Sequence, residues 1–282
     1  MRKGEKQQKQ KLSTARWIVI LVCAAVFLFS LYNIIDIFQK YSQSKEIYDN
    51  AEKTYTVPVE EEDPIPPVID FDALTEVNKD VIGWIFIEGT DINYPLLKGK
   101  TNKQYLFQSY EKKYAVAGSI FLDYRCSEDF SDYNTVVYGH NMKNGTMFGK
   151  LDKYLEKDYL EKHPYVYIIL ADGSWNKYRV FSCYQAPVDG ATYDLPTDTK
   201  KKIKAFVSLL KEKNLYAQES DAETGDYAAE PVYTPTGEDR ILTLSTCTND
   251  SRNDVRFVVN CVLEEMGTTV TAVNAEKNDL TD

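Results

Sequence analysis

Apolar and polar residues alternate strictly along Ile241 to Cys247, ILTLSTC. Ile241, Thr243, Ser245 and Cys247 fall on one face and Leu242, Leu244 and Thr246 on the other, the period-2 signature of a β-strand. The alternation returns from Arg256 to Leu263, after a polar stretch holding Asn249, Asp250, Ser251 and Asn253. Turn-forming residues between two alternating runs predict strands that come back antiparallel beside each other. Cys247 then closes one strand where Arg256 opens the next, at one rim of a sheet.

Further strand patterns cover Val81 to Ile87, Ile92 to Leu97, Thr135 to Tyr138, Tyr165 to Leu170 and Trp175 to Gln185. Gly89 with Asp91 marks a turn between the first two, and Ala171-Asp172-Gly173-Ser174 a hairpin between the last two. The helical period appears in Thr199 to Lys213, where Ile203, Phe206, Val207 and Leu210 share a face. Asp198 is the expected N-cap, and Lys200, Lys201, Lys204 and Lys211 form the solvated side. With a short helix over Asp72 to Val77, the pattern predicts a mainly β domain with peripheral helices.

The amino-terminal pattern differs. Trp17 to Ile35 carries no charge and, at ~1.5 Å per residue, is long enough to cross most of a bilayer's ~30 Å core. Arg2, Lys3, Lys6, Lys9, Lys11 and Arg16 precede it against the single acid Glu5. The run lacks a small-residue exit site, so it reads as an uncleaved signal-anchor, and the basic flank places the N-terminus in the cytoplasm. The expected order is a cytoplasmic head (1–16), a membrane span (17–35), a helical stalk passing into a Pro/Glu linker (36–68), a catalytic domain (69–266) and a flexible tail (267–282). Glu219 to Asp239 reads as an acidic loop.

Composition narrows the chemistry. A net charge of -10 and a pI near 4.9 exclude a general nucleic-acid binder, because phosphate contacts need clustered Lys and Arg. The five cysteines are irregularly spaced with no CxxC, so no standard metal site is expected. Cys126, Cys183 and Cys261 read as structural. A thiol beside a guanidinium brings fixed positive charge near a potential nucleophile and any oxyanion it creates. Such a thiol needs a base or imidazolium, and the chain has two histidines. His140 follows a strand and precedes an Asn/Lys/Asn/Gly loop, whereas His163 sits before Pro164 at a strand entrance and reads as a surface residue. For Cys247 alone, a buried strand-end cysteine is the plain alternative.

These segments resemble class B sortases, cysteine transpeptidases of Gram-positive cell surfaces. TLSTC at Thr243 to Cys247, RFVV from Arg256, and YGHNM at Tyr138 to Met142 followed by GTMFGKL resemble the family's nucleophile, arginine and histidine segments in the same order. Val81 to Leu97 and Gly118 to Arg125 resemble its early strands. The resemblance implies a closed β-barrel with a long helical insertion before the nucleophile strand that walls the substrate groove. It implies Cys247, His140 and Arg256 as catalytic residues, Asn93, Ser245 and Thr246 as substrate-binding residues, and no cofactor. It further implies cleavage of an Asn-Pro-x-Thr-Asn-like sorting motif after Thr, with transfer of the surface protein to a cell-wall amine. A pilin-polymerising sortase and an inactive membrane-tethered β-domain with a binding role remain the alternatives.

Overall fold

The computed structural model describes residues 2–57, 66–214, 233–247 and 254–268. The chain forms two compact units, Met1–Gln43 and Ser44–Asp282. The first consists of the amino-terminal part of helix α1 (Arg2–Tyr55). Within α1, Ala15–Tyr55 is long and apolar enough to cross a membrane, and side chains from Trp17 to Phe38 are largely exposed.

The second unit is a closed eight-stranded barrel, ordered β1-β2-β3-β4-β7-β8-β6-β5. Its strands are β1 (Val81–Phe86), β2 (Asn93–Lys98), β3 (Ile120–Leu122), β4 (Asn134–Tyr138), β5 (Tyr165–Leu170), β6 (Ser174–Pro187), β7 (Ile241–Cys247) and β8 (Val255–Thr268). Helix α2 (Phe71–Val77) precedes β1, α3 (Lys157–Lys162) lies between β4 and β5, and α4 (Lys200–Glu212) between β6 and β7. Barrel closure leaves no open sheet edge. Trp84, Ile85, Leu96, Val136, Phe181 and Leu244 are among the fully buried core residues.

Local expectations hold with adjustments. β7 and β8 pair antiparallel, and Cys247 lies opposite Arg256. Helix α4 buries Phe206 and Leu210 and exposes Lys200, Lys201, Lys204 and Lys211. Its N-cap is Thr199 rather than Asp198: Thr199 is extended, and its hydroxyl accepts from the Lys202 N–H at 3.3 Å. That satisfies one of the donors a helix start leaves orphaned. Cys126, Cys183 and Cys261 are buried free thiols. His163 caps the end of α3, with Nδ1 2.8 Å from the Glu88 carbonyl. Residues 58–65 of the Pro/Glu linker, 219–232 of the acidic stretch expected from Glu219 to Asp239, and the tail beyond 268 lie outside the described residues.

The last turns of α1 pack into the barrel unit, which therefore begins at Ser44, within the expected stalk. Ser44, Tyr48, Ala51 and Tyr55 are buried. The Tyr48 hydroxyl donates to the Gly118 carbonyl and lies 3.0 Å from Ser119 Oγ. Its ring meets Tyr94 edge-on, with centroids 5.4 Å apart. Tyr48→Ala should therefore destabilise the barrel by ~3–5 kcal/mol, the cost of emptying a buried aromatic site. Thermal unfolding of the full chain in detergent measures it, and an unchanged midpoint would show that α1 adds nothing to the barrel.

A buried polar chain sets the register of the strands that matter most. Thr243 of β7 donates to Asn134 Oδ1 of β4 (2.7 Å) and accepts from Asn260 Nδ2 of β8 (2.8 Å). All three are 0% exposed. Slipping any of these strands would strand buried polar groups without partners, a cost of ~1–3 kcal/mol each.

Candidate active site

β4 runs parallel to β7, with Tyr138 opposite Ser245. The Gly139 N–H carries that ladder onward by donating to the Ser245 carbonyl at 3.1 Å. His140 follows Gly139 directly, and Cys247 ends β7 two residues after Ser245. On the other side of β7, Cys247 faces Arg256 at the start of β8. Cys247 and Arg256 are thus backbone neighbours, and His140 and Arg256 line one cleft. Glycine at 139 lets the chain pass close to its neighbours, since a Cβ there would lie 2.5 Å from Ile120 Cδ1 and 2.7 Å from the Phe148 ring and force those side chains to shift.

A cleft of about 330 Å³ opens at this end, lined by His140, Ser245, Thr246 and Arg256 together with Arg125 and Tyr138. The half-buried Arg256 donates from Nη1 to its neighbour's carbonyl, Val255 O, at 3.0 Å. Ser245 is buried, its Oγ 2.7 Å from the Tyr193 hydroxyl. Thr246 is 3% exposed, and its Oγ1 has no hydrogen-bond partner among the described residues. A buried hydroxyl without a partner costs ~1–3 kcal/mol, so a ligand that supplied one would recover that cost.

Other expected residues lie elsewhere. Asn93 opens β2, where its Oδ1 accepts from the Trp84 indole N–H at 2.6 Å, and it is not among the cleft-lining residues. Helix α4 does not line the cleft either; Val188 and Tyr193, between β6 and α4, do. His163 is not among the cleft-lining residues. Among the described residues no group of His, Cys, Asp and Glu is placed to hold a metal.

One element of the wall escaped the sequence reading. Arg125 grips the fully buried Asp123 with two bonds, Nε to Oδ1 at 2.9 Å and Nη2 to Oδ2 at 2.8 Å. Tyr138 and Asn102 donate to the same Oδ2 at 2.9 and 2.8 Å. Burial acts to raise the Asp123 pKa, but the hydrogen bonds and charge of Arg125, with Asn102, outweigh it and hold the group below its usual value. The Arg125 guanidinium is raised by its bonds to Asp123. Aspartate and arginine two residues apart, just past the buried triplet Ile120–Leu122, were the available signal.

Because the Asp123 carboxyl is depressed on folding, its contribution is fully present above about pH 3.9, the usual aspartate value, and is lost as pH falls through the folded value. Asp123→Ala should cost ~3 kcal/mol at neutral pH, the lower end for breaking a buried pair, because Arg125 remains 30% exposed. Thermal denaturation of wild type and variant at neutral pH and near pH 3 should show the gap narrowing in acid. A gap that widened would contradict this account.

Residues 85–264 match the family described as the sortase domain. Sortase B of Listeria monocytogenes is 34% identical over 230 residues, covering 80% of this chain and 87% of its own. Sortase B of Staphylococcus aureus is 31% identical over 233 residues, covering 82% and 88%. The crystal structure of B. anthracis sortase B aligns at a TM-score of 0.62 and 30% identity, covering 81% of this chain and 99% of that one. A Streptococcus pyogenes class B sortase involved in pilus biogenesis aligns at 0.56 and 31%, covering 69% and 98%. Identity sustained across four fifths of the length, on a barrel that class B sortases share, leads to one assignment: the chain belongs to the sortase family, in its class B branch.

Proposed function

We propose that this chain is a membrane-anchored cysteine transpeptidase that cuts a C-terminal sorting motif of the Asn-Pro-x-Thr-Asn type after Thr and joins the protein to a cell-wall amine. What supports this reading is an open cleft lined by both His140 and Arg256, with Cys247 paired to Arg256 across β7 and β8. The Cys247 thiolate attacks the Thr carbonyl carbon, and the carbon–nitrogen bond breaks as His140 gives a proton to the leaving amine. The resulting thioester is attacked by the incoming amine, which yields its proton to His140 as the carbon–sulfur bond breaks and the thiolate returns. Arg256 stabilises the oxyanion formed in each half. Thr246 Oγ1 offers the peptide a buried hydrogen-bonding group without a partner of its own.

The test incubates the full chain in detergent with a library of x-Pro-x-Thr-x peptides and amine acceptors, including wall-type peptides and a protein lysine, and reads products by mass. Transfer to the wall-type amine supports the reading. Transfer to the lysine alone would favour polymerisation, to which the S. pyogenes relative gives some weight. No covalent product with any acceptor would leave a binding role.

The basic flank before Trp17 predicts that residues 36–282 lie outside the membrane. Protease added to wall-stripped cells should degrade that part of the chain. Its survival under conditions that digest a known surface protein would reverse the orientation.

A further inference from the structure

His140 Nε2 lies 2.6 Å from the Leu106 carbonyl oxygen. A carbonyl can only accept a hydrogen bond, so the nitrogen facing it must carry the proton. We propose that the Leu106 carbonyl is the positioning partner of His140, holding the ring with its proton on Nε2, so that Nδ1 is the nitrogen that exchanges protons with the leaving and incoming amines. The role assigned to Nδ1 rests on the transpeptidase reading; the tautomer does not.

Two features of the wall keep that carbonyl in place. Gly118, at φ 56°, packs directly behind it: a Cβ at this position would fall 2.3 Å from Leu106 O and 2.6 Å from Tyr105 O. Any other residue would both strain the left-handed backbone and push the carbonyl aside. The flanking backbone is also tied down, with the Ser119 N–H donating to Tyr105 O at 3.0 Å and Ser119 Oγ donating to Gln108 O at 2.7 Å. The Phe107 ring then lies against the imidazole, centroids 5.5 Å apart and planes 35° apart. At the other end of the ring's own segment, the Phe148 N–H donates to the His140 carbonyl at 3.0 Å. Backbone, ring edge and ring face are therefore each held by a different contact.

The consequence for the reaction is directional. The charged ring carries protons on both nitrogens, and the one on Nδ1 goes to the departing amine as the carbon–nitrogen bond breaks. The neutral ring that remains keeps its Nε2 proton on Leu106 O, so Nδ1 is already the acceptor for the proton of the incoming amine. No tautomer exchange is needed between the two halves. His163 supplies an internal contrast, since its Nδ1 faces the Glu88 carbonyl at 2.8 Å. The same reasoning gives His163 the opposite tautomer.

The experiment is long-range nitrogen–proton NMR of the full chain in detergent, labelled with ¹⁵N-histidine, at a pH where both rings are neutral. His163→Gln assigns the two sets of signals. The expected result is a pyrrole-type Nε2 and a pyridine-type Nδ1 for His140, with the reverse for His163. A proton on Nδ1 of His140, or averaging between its two nitrogens, overturns the proposal whether or not the chain turns over peptide. Replacing the Leu106–Phe107 amide by an ester, through the hydroxy acid of Phe at 107, weakens the acceptor while keeping both side chains. It should release a measurable Nδ1–H population and lower kcat by up to about tenfold with little change in KM. An unaltered tautomer in the ester chain would show that Leu106 does not set it.

Discussion

Cys247→Ala abolishes both cleavage and transfer, by at least about 10⁴-fold, with thermal unfolding unchanged. The size follows from the nucleophile role proposed for Cys247, since losing a nucleophile costs about as much as losing the whole catalytic group. No other described cysteine can take over. Burial pushes the Cys126 and Cys183 thiols up to about 12 and the Cys261 thiol well above its usual value. All three are therefore thiols at neutral pH, and the thiolate is the reactive form. Cys23 lies in the candidate membrane span. Alanine at 126, 183 or 261 should accordingly leave turnover in place. The check is the rate of peptide cleavage and amine transfer for each purified variant, and residual turnover in Cys247→Ala would remove it as the nucleophile.

Arg256→Lys loses about 10²–10³ in the same assay, the range typical of removing one fixed oxyanion donor. Charge is retained in this variant, so the loss isolates geometry. The guanidinium is a planar fork that can engage an oxyanion and a carbonyl together, whereas an ammonium on a mobile stem is a point charge. The position favours that geometry, because Arg256 is the second residue of β8, directly opposite Cys247, and its Nη1 is already bonded to a backbone carbonyl. The measurement is kcat/KM at unchanged unfolding temperature. Near wild-type values would mean that Arg256 contributes only long-range charge, or that Arg252 in the neighbouring connection is the functional arginine.

Several features were legible before any fold was known. The antiparallel return of Ile241–Cys247 onto the following strand, the amphipathic helix α4 and the uncharged span after Trp17 are local patterns with a fixed period, and a period needs no partner to be read. Side-chain alternation also settled which residues of β7 share a face. The choice of His140 over His163 followed from the strand and loop signals on either side of each, and the cleft contains the first and not the second.

What the tertiary structure decided is long-range. The parallel pairing of β4 with β7 joins residues far apart in the chain, and the alternation of Asn134–Tyr138 is equally compatible with any neighbour. The Asn134–Thr243–Asn260 chain ties β4, β7 and β8 together in that register by giving buried polar groups partners across the strands. Likewise, no period marks Leu106 as the partner of His140 or Asp123 as the anchor of Arg125. Those contacts depend on a carbonyl and a carboxylate whose positions exist only after the barrel has closed. Asn93, which the family resemblance alone pointed to, has a contact that only the fold shows, since its Oδ1 accepts from the buried Trp84 indole. Sequence by itself thus determined the elements and the residue types that carry the proposed chemistry. Closure of the barrel decided which of them meet, because hydrogen bonds between distant strands have no signature in either strand alone.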